Sequence, residues 1–513
     1  MSGKLERYAR DQARQIAQLQ QVSALPATAL AFPGTILDAM DAAGMTGPSW
    51  AAWRTWWKAV YALPMDAAEL AVFRAQTGRA EPPPAPVREA WLIVGRRGGK
   101  TRNDALGAMY AGTRRDYRDV LASGERGVIP VIAADRKQAL QVLGYIKGLA
   151  TLACFAPHVG RVLKESITLT TGVAIEVHTA SYRTTRGYTI PGVVADEVAF
   201  WSAEDSAQPD TEILAALRPG MATLPDALLL GSSTPYGRRG ELYRAFDRYY
   251  GREDPRVLVW VAPSRVMNPA LDAGVVAQAY EDDPVAAAAE YGAEFRRDIE
   301  AFIAPEAIAA VTVTGRHELA PVADVGYVAW TDPSGGSQDS WTLAIAHAEG
   351  GRAVLDCLRE TRPPFSPDAV ATEYAALLRT YGLANVVGDR YGGEFPRELF
   401  AKAGIAYQTA PFAKSDLYRE LLPGVNAGRV ELLEHPRLKA QLVGLERRVS
   451  RVGKDSIDHA PGGRDDVANA AAGALVLALG AGDGPPLGEE IVEPAEDWQE
   501  VFQRTGRMPF TFD

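Results

Sequence analysis

The chain has 513 residues, which is too long for one compact core and predicts two to four domains. Hydrophobic residues make up 47% of it and charged residues 23%, which is typical of a folded globular protein and argues against wholesale disorder. The formal net charge of −10 excludes a protein that coats nucleic acid over its whole surface, because binding to phosphates depends on Lys and Arg, so any contact with DNA must be local.

Two further classes of protein are disfavoured by simple patterns. The two cysteines, Cys154 and Cys357, lie far apart without metal-ligand spacing, as expected for a reducing compartment. No run approaches ~20 consecutive apolar residues, and the basic residues near the start have no apolar segment behind them. We therefore expect neither a membrane span nor a secretory signal.

The first half of the chain divides into two regions. Residues 1–86 are predicted to be helical and rich in tryptophan, ending in a proline-rich linker at residues 81–86. Residues 87–300 alternate short apolar runs with helical patterns, which predicts an α/β domain with a mainly parallel sheet. Its strands are predicted at residues 91–94, 128–133, 192–196, 228–231 and 257–261.

The second half begins with a predicted linker at residues 301–321, followed by a second α/β domain at residues 322–480. Three consecutive strands of a meander are predicted at residues 327–332, 341–347 and 352–358, and a helix (367–381) and a buried strand (385–389) follow. Residues 481–513 are acidic, contain several Gly and Pro, and are predicted to be a tail with little core.

A glycine loop follows the first predicted strand of the first α/β domain. It reads Gly95-Arg96-Arg97-Gly98-Gly99-Lys100-Thr101, and a helix is predicted to begin near Arg102. Glycines allow backbone amides to converge on phosphate oxygens, and the helix N-terminus adds favourable potential. This pattern predicts that Lys100 contacts the β/γ-phosphates of ATP and that Thr101 ligates Mg²⁺. The usual first glycine is replaced by Val94, so a simple glycine turn with an exposed lysine is the alternative.

Two adjacent carboxylates end the predicted strand at 192–196. We expect Asp196 to hold the Mg²⁺ shell and Glu197 to orient or deprotonate the attacking water. An Asp-Glu pair is also a common helix cap, which is the alternative for this segment. Combined with the glycine loop, the pair favours ATP hydrolysis.

Acidic residues also mark three elements of the second α/β domain. Asp332 ends its first strand, Asp389 ends a later strand, and Asp465 and Asp466 open the last helix. This is the layout of an RNase H-like nuclease, in which such carboxylates hold one or two Mg²⁺ or Mn²⁺ ions. Asp332 and Asp465 have alternative explanations as a turn initiator and a helix cap.

Some details of this predicted nuclease site stay open. Asp466 is slightly favoured over Asp465 as the ligand, and Asp339 and His459 are auxiliary candidates. The basic segment at residues 447–455 is predicted to be a hairpin that either contacts the DNA backbone or forms a solvated, charge-protected edge.

Three sets of residues together resemble the large subunits of bacteriophage terminases. They are Arg96 and Arg97 in the glycine loop, Arg186-Gly187-Tyr188-Thr189 before the Asp-Glu pair, and Gly231-Ser232-Ser233-Thr234-Pro235 after a buried strand. The resemblance implies that Arg96 or Arg97 senses the γ-phosphate and that Ser232, Ser233 and Thr234 couple hydrolysis to DNA movement. It also makes Arg186 and Arg218 candidates for a finger reaching a neighbouring subunit, and Gln76 a candidate reader of adenine.

The resemblance implies an ASCE-type P-loop ATPase domain followed by an RNase H-like nuclease domain. Its implied activities are ATP-driven translocation of double-stranded viral DNA into a procapsid and endonucleolytic cutting of concatemeric DNA. Its implied partners are DNA, a portal protein, a small terminase subunit and, in a working pentamer, further copies of the chain, in the cytoplasm of the infected bacterium. A helicase or repair ATPase fused to a nuclease, and a non-enzymatic packaging scaffold with vestigial sites, are the alternatives.

Overall fold

The structure is a computed structural model that describes residues 31–180, 187–202, 206, 208–337, 339–389, 394–410, 413–449 and 455–481. The described residues form two compact units: the first holds residues up to 202 and residues 208–297, and the second holds residue 206 and the residues from 298 onward. Within the described ranges, no helix is both long enough and apolar enough to cross a membrane. The predicted acidic tail from residue 482 onward lies outside the described residues.

The first unit is built on an eight-stranded sheet in the order β3-β4-β5-β2-β6-β7-β1-β8. The six strands β5, β2, β6, β7, β1 and β8 pair with their neighbours in parallel. Strand β4 is antiparallel to both of its neighbours, β3 and β5. Strand β7 lies between β1 and β6. The strand bounds are β1 (Glu89–Val94), β2 (Gly127–Ala133), β3 (Val159–Val162), β4 (Ser166–Leu169), β5 (Val173–Thr179), β6 (Gly192–Asp196), β7 (Leu228–Ser233) and β8 (Val257–Ala262).

Helices cover both faces of this sheet, which explains why its central strands are almost wholly buried. The helix bounds are α1 (Ile36–Ala42), α2 (Ala51–Val60), α3 (Ala67–Thr77), α4 (Lys100–Thr113), α5 (Arg136–Leu149), α6 (Pro209–Met221), α7 (Gly240–Tyr249), α8 (Ser264–Met267), α9 (Ala273–Asp282) and α10 (Pro284–Glu290). The α/β fold with a mainly parallel sheet is confirmed.

Helices α1 to α3 belong to the first unit and share its core. The indoles of Trp53, Trp56 and Trp57 are fully buried in the same hydrophobic cluster as the residues of β1. The prediction of a separate region up to residue 86 needs correction, because the proline-rich run connects two parts of one core. Apolar burial of three large indoles holds the N-terminal helices on the sheet.

The second unit contains a six-stranded sheet in the order β14-β13-β10-β11-β12-β15. Strands β10 to β12 form an antiparallel meander, and β13 and β14 add in parallel beside β10. A smaller sheet has the order β17-β16-β9. The strand bounds are β9 (Ile299–Ala301), β10 (Tyr327–Asp332), β11 (Trp341–Glu349), β12 (Arg352–Thr361), β13 (Asn385–Gly388), β14 (Ala406–Thr409), β15 (Val430–Glu431), β16 (Leu445–Arg448) and β17 (Ser456–His459).

The helices of the second unit include an alanine-rich helix that packs against the meander. The helix bounds are α11 (Pro305–Val311), α12 (Pro367–Thr380), α13 (Glu394–Lys402), α14 (Lys414–Asn426), α15 (Pro436–Val443) and α16 (Asp466–Ala481). The predicted linker at residues 301–321 is corrected here, since it carries α11 and buries Ile303, Ile308 and Val311 in the core of the second unit.

Helix α16 approaches the sheet so closely that one of its positions has no room for a side chain. A Cβ atom at Gly473 would overlap the indole ring of Trp330 in β10. Trp330 is itself buried, so the ring has nowhere to move. The glycine therefore sets the distance between the helix and the sheet.

We predict that Gly473→Ala destabilises the second unit by about 1–3 kcal/mol, because the added methyl group overpacks the core. Gly144→Ala is the matched control: Gly144 lies in α5 with no atom within 4 Å of its added Cβ, and the change should stabilise the first unit by about 0.4–1 kcal/mol. Calorimetric unfolding of both variants tests this. Equal stability of Gly473→Ala and the parent would contradict the close packing.

Candidate functional site

The glycine loop between β1 and α4 is held tightly by its surroundings. A Cβ atom at Gly95 would collide with Oγ of Ser264 and lie 2.8 Å from the carbonyl oxygen of Tyr291. Position 95 therefore has no room for any side chain. Arg97 (φ 63°) and Gly99 (φ 102°) lie in the left-handed region, which is costly for arginine and common where backbone strain serves function.

Lys100 and the acidic pair converge beside this loop. The Lys100 ammonium donates to the carbonyl oxygen of Val94 (3.0 Å) and to Oγ1 of Thr234 (2.8 Å). It also lies 3.4 Å from Oε1 of Glu197. The loop, the end of β6 and the end of β7 therefore meet at one place.

Glu197 is tied to the segment that the sequence singled out after β7. Its Oε2 accepts a hydrogen bond from the backbone N–H of Thr234 and another from the hydroxyl of Ser233, both at 3.1 Å. Glu197 also has a left-handed backbone (φ 49°), which is strained for a glutamate. Because these two hydrogen bonds hold the carboxylate, any movement of the Glu197 side chain would also move Ser233 and Thr234.

Asp196 is buried at the end of β6. Burial raises its pKa to about 7, the neighbouring charge of Glu197 adds to the rise, and Lys100 opposes it. Thr101 is half-buried in the first turn of α4.

One residue of this site, Asp104, was not predicted from the sequence. Asp104 is fully buried in α4, and the hydroxyl of Ser232 donates to its Oδ2 at 2.6 Å. Burial, followed by the charge of Asp196, raises its pKa well above the usual range. Its Oδ1 has no hydrogen-bond partner among the described residues. The sequence did contain one indication: Asp104 lies three residues after Thr101 in the predicted helix, and this spacing places both side chains on the same helix face.

These residues fit a nucleotide with Mg²⁺. Glycine positions without room for a side chain leave a cradle of backbone, and Thr101, Asp196 and the orphaned oxygen of Asp104 supply hard oxygen atoms. Lys100 adds a buried positive charge.

The predicted arginines have different surroundings. The side chain of Arg96 is 67% exposed and pairs with Glu290 at 3.1 Å, and Arg97 is also exposed. Arg218 pairs with Glu89 (2.9 Å) and Glu241 (3.2 Å) of its own unit, which weighs against its role as a finger. Arg186 lies outside the described residues.

The predicted nuclease acids gather at one edge of the second sheet. Asp332 is the last residue of β10, and Asp389 directly follows β13. The parallel register pairs Thr331 with Gly388, so the two acids leave neighbouring strands at the same level. Asp466 begins α16, where its carbonyl oxygen accepts from the Thr342 hydroxyl of the adjacent strand β11 (2.8 Å).

The charges of these acids act on one another. Burial raises the pKa of Asp332 well above its usual range, and the charges of Asp466, Asp389 and Asp465 raise it further. Burial and the charge of Asp465 raise the pKa of Asp466 to about 6, while Arg464 opposes the rise. One oxygen of Asp466, Oδ2, is buried without a hydrogen bond in the described part of the chain. A cluster of repelling carboxyls with an orphaned oxygen fits a divalent cation.

Asp465 and Asp466 differ in their partners. Asp465 is bound by the ammonium of Lys414 (2.7 Å) and the hydroxyl of Tyr418 (2.8 Å). Lys414 also reaches Asp458 at 2.8 Å. Because its oxygens are already engaged, Asp465 is the less available ligand, which favours Asp466. Sequence reasoning missed Lys414 and Tyr418, which lie in α14 without any motif.

The auxiliary candidates lie beside this cluster. Asp339 pairs with Arg464 at 3.2 Å and contributes to the raised pKa of Asp466. Ligand atoms of Asp458, His459 and Asp465 lie within 4.8 Å of one another, but the ammonium of Lys414 competes with any cation there.

The predicted basic hairpin is present as strands β16 and β17. Its central part, residues 450–454, lies outside the described residues. Strand β16 also pairs with β9, and Arg447 forms an ion pair with Asp455 at 2.5 Å. Part of its positive charge is therefore neutralised within the unit.

No protein-family model and no curated protein matches this sequence. Structures similar to the chain include the large terminase of bacteriophage HK97, with 17% identity, a TM-score of 0.35, and coverage of 77% of this chain and 92% of that one. The large terminase of the thermophilic bacteriophage D6E in complex with ADP has 12% identity, a TM-score of 0.35, and coverage of 82% and 98%. The large terminase nuclease of the thermophilic phage G20c with bound magnesium has 19% identity, a TM-score of 0.30, and coverage of 33% and 94%. At such low identities and TM-scores, function must be inferred from the two sites themselves.

We predict a pH dependence of stability that originates at Asp466. Its folded pKa of about 6 exceeds the unfolded value of about 3.9, so between these pH values the folded state holds a proton that the unfolded chain releases. Without metal, this group's contribution to stability therefore falls as pH rises to about 6 and then levels off. Asp466→Asn should remove that fall and gain stability over the parent at pH 7.

Thermal unfolding in the presence of EDTA, from pH 4 to 8, measures this effect, with Glu373→Gln on the exposed side of α12 as the control. Added Mn²⁺ should stabilise the parent more than Asp466→Asn. A parent and an Asp466→Asn variant with parallel pH profiles would show that the carboxyl is not desolvated.

Proposed function

We propose that this chain is the large subunit of a bacteriophage terminase, which hydrolyses ATP to move double-stranded DNA and cuts that DNA with a metal-dependent nuclease. The observation that carries the proposal is that one chain holds two separate acidic sites. In the first unit a glycine loop meets Asp196 and Glu197; in the second, Asp332 and Asp389 leave neighbouring parallel strands at one level, and the charges of Asp389 and Asp466 act on the buried Asp332.

The residues of the first site support ATP hydrolysis. Lys100 supplies positive charge to the β- and γ-phosphates, and Thr101 and Asp196 would hold Mg²⁺, which neutralises phosphate charge when bound. Glu197 orients the attacking water and accepts its proton. Arg96 is exposed at the loop and is our candidate for contact with the γ-phosphate.

The contacts of residues 232–234 support coupling between hydrolysis and movement. Thr234 contacts both Lys100 and Glu197, and Ser232 contacts Asp104. Binding or hydrolysis of ATP changes the charge beside these residues. That change acts on the end of β7 through two sets of hydrogen bonds, one at Thr234 and one at Ser232. A helicase or repair ATPase fused to a nuclease would share these features, and unwinding of duplex DNA without a procapsid would favour it.

The second site supports phosphodiester cleavage. Asp332, Asp389 and Asp466 would hold Mg²⁺ or Mn²⁺ ions, which stabilise charge on the attacking and leaving oxygens of the DNA backbone. Lys414 and Tyr418 hold Asp465 in place at the start of α16. The proposal includes a portal protein, a small terminase subunit and a pentamer of this chain as partners at the procapsid, in the host cytoplasm.

We predict that Lys100→Ala lowers ATP turnover by about 100-fold or more, because it removes the buried charge that faces the phosphates. Lys137→Ala, at an exposed position of α5, is the control and should retain full turnover. Lys100→Ala should still cleave plasmid DNA with Mn²⁺. A variant that hydrolyses ATP like the parent would refute the assignment of the loop.

For the second unit, we predict that Asp389→Asn abolishes plasmid cleavage with Mg²⁺ or Mn²⁺ while ATP turnover stays at the level of the parent. The substitution removes one charge of the cluster without changing the volume of the side chain. Glu373→Gln serves as the control. Absence of both activities in the parent would favour a non-enzymatic scaffold.

A further inference from the structure

The tryptophans of α2 point to a role in the nucleotide site that packing alone does not explain. Trp53 and Trp57 are buried, and each directs its indole N–H toward the glycine loop or the helix that follows it. Helix α2 lies outside the sheet that carries the loop, so these bonds tie a peripheral helix to the centre of the site.

Trp53 fixes one peptide of the loop. Its Nε1–H donates to the carbonyl oxygen of Gly98 at 3.0 Å in a buried position. In a planar trans peptide the C=O and the following N–H point in opposite directions. Holding the Gly98 carbonyl toward Trp53 therefore turns the N–H of Gly99 away from that indole.

Trp57 acts on the next peptide through one intermediate. Its Nε1–H donates to Oδ1 of Asn103 at 2.9 Å, which fixes the orientation of that amide. Nδ2 of Asn103 then donates to the carbonyl oxygen of Gly99 at 3.2 Å. The same carbonyl oxygen accepts from the backbone N–H of Asn103 at 3.4 Å, so the side-chain bond reinforces the first turn of α4, and the N–H of Lys100 points away from both donors.

We infer that Trp53 and Trp57 are positioning residues, which orient the amides of Gly99 and Lys100 for the phosphate chain of a nucleoside triphosphate. This inference rests on the proposed ATP site. A rotated loop peptide would leave a buried indole N–H without a partner, so the bonds make the binding conformation the stable one before the nucleotide arrives.

Helix α2 provides its own control in Trp56. This residue is as deeply buried as its neighbours and packs edge-to-face on Trp260, with ring centroids 5.8 Å apart. In the described part of the chain, its Nε1 has no hydrogen-bond partner. Replacing Trp56 with Phe thus removes the same bulk as the other two changes but no bond to the loop.

The test compares Trp53→Phe, Trp57→Phe and Trp56→Phe in the full chain. Calorimetric titration with Mg²⁺-ATP gives the Kd, steady-state turnover separates KM from kcat, and thermal unfolding monitors the fold. We expect Kd and KM to rise about three- to tenfold in Trp53→Phe, the size of one lost hydrogen bond, and less in Trp57→Phe, while kcat changes little. Trp56→Phe should bind ATP like the parent even though it loses stability.

Equal Kd values in Trp53→Phe, Trp57→Phe and Trp56→Phe, with a parent that binds ATP, would overturn this inference and leave the ATP site in place. A parent that binds no ATP would overturn the site as well. Trp57→Phe reaches the loop independently of Trp53, so it still decides the matter if Trp53→Phe fails to fold.

Discussion

Both units contain carboxyl groups that are pushed together and away from water at the ends of neighbouring strands. In the first unit, Asp196 ends β6 and Glu197 follows it, close to the buried Asp104. In the second, Asp332 and Asp389 leave adjacent parallel strands and Asp466 joins them from a helix. Burial raises the pKa of Asp104, Asp196, Asp332 and Asp466, and neighbouring carboxylates raise it further, so ionising these groups costs free energy that Lys100 and Lys414 offset only in part. A divalent cation would supply further counter-charge, and under the proposed function the rest of each unit holds the acids in reach of it.

The two units supply this support differently. In the first, strain and hydrogen bonding concentrate around the glycine loop, where Arg97 and Glu197 adopt left-handed backbones. The ends of β1, β6 and β7 meet there, and α2 is hydrogen-bonded to the loop and to the helix that follows it. In the second, the close approach of Gly473 to Trp330 sets α16 on the sheet, which places Asp466 beside the strand that carries Asp332.

The sequence predicted most of the elements that carry the sites. Strands such as β6 are continuous apolar runs that end in an acid. Such runs are easy to identify in the sequence, because the strands of a parallel sheet are buried on both faces and contain few polar residues before the end. Strands β3 to β5 were not predicted, because they are short or interrupted by polar residues such as Glu176 and His178. The linker predicted at residues 301–321 was wrong for a similar reason: α11 has seven residues, too few for a clear periodicity.

Supporting residues of the sites were beyond sequence reasoning. Asp104, Lys414 and Tyr418 lie within helices and belong to no motif, so only the folded chain reveals which acids they meet. The direction of the Trp53 indole N–H is likewise set by tertiary packing, and composition alone predicted only a buried aromatic helix. Motifs identify groups that act on a ligand, whereas groups that position them depend on three-dimensional contacts.

The most direct measurement is the anomalous scattering of Mn²⁺ in crystals of the full chain grown with a non-hydrolysable ATP analogue. Two separate clusters of peaks are expected. One should lie beside Thr101 and Asp196, and the other should contact Asp332, Asp389 and Asp466. Mn²⁺ absent from both clusters of acids, or bound only at exposed surface carboxylates, would contradict the account.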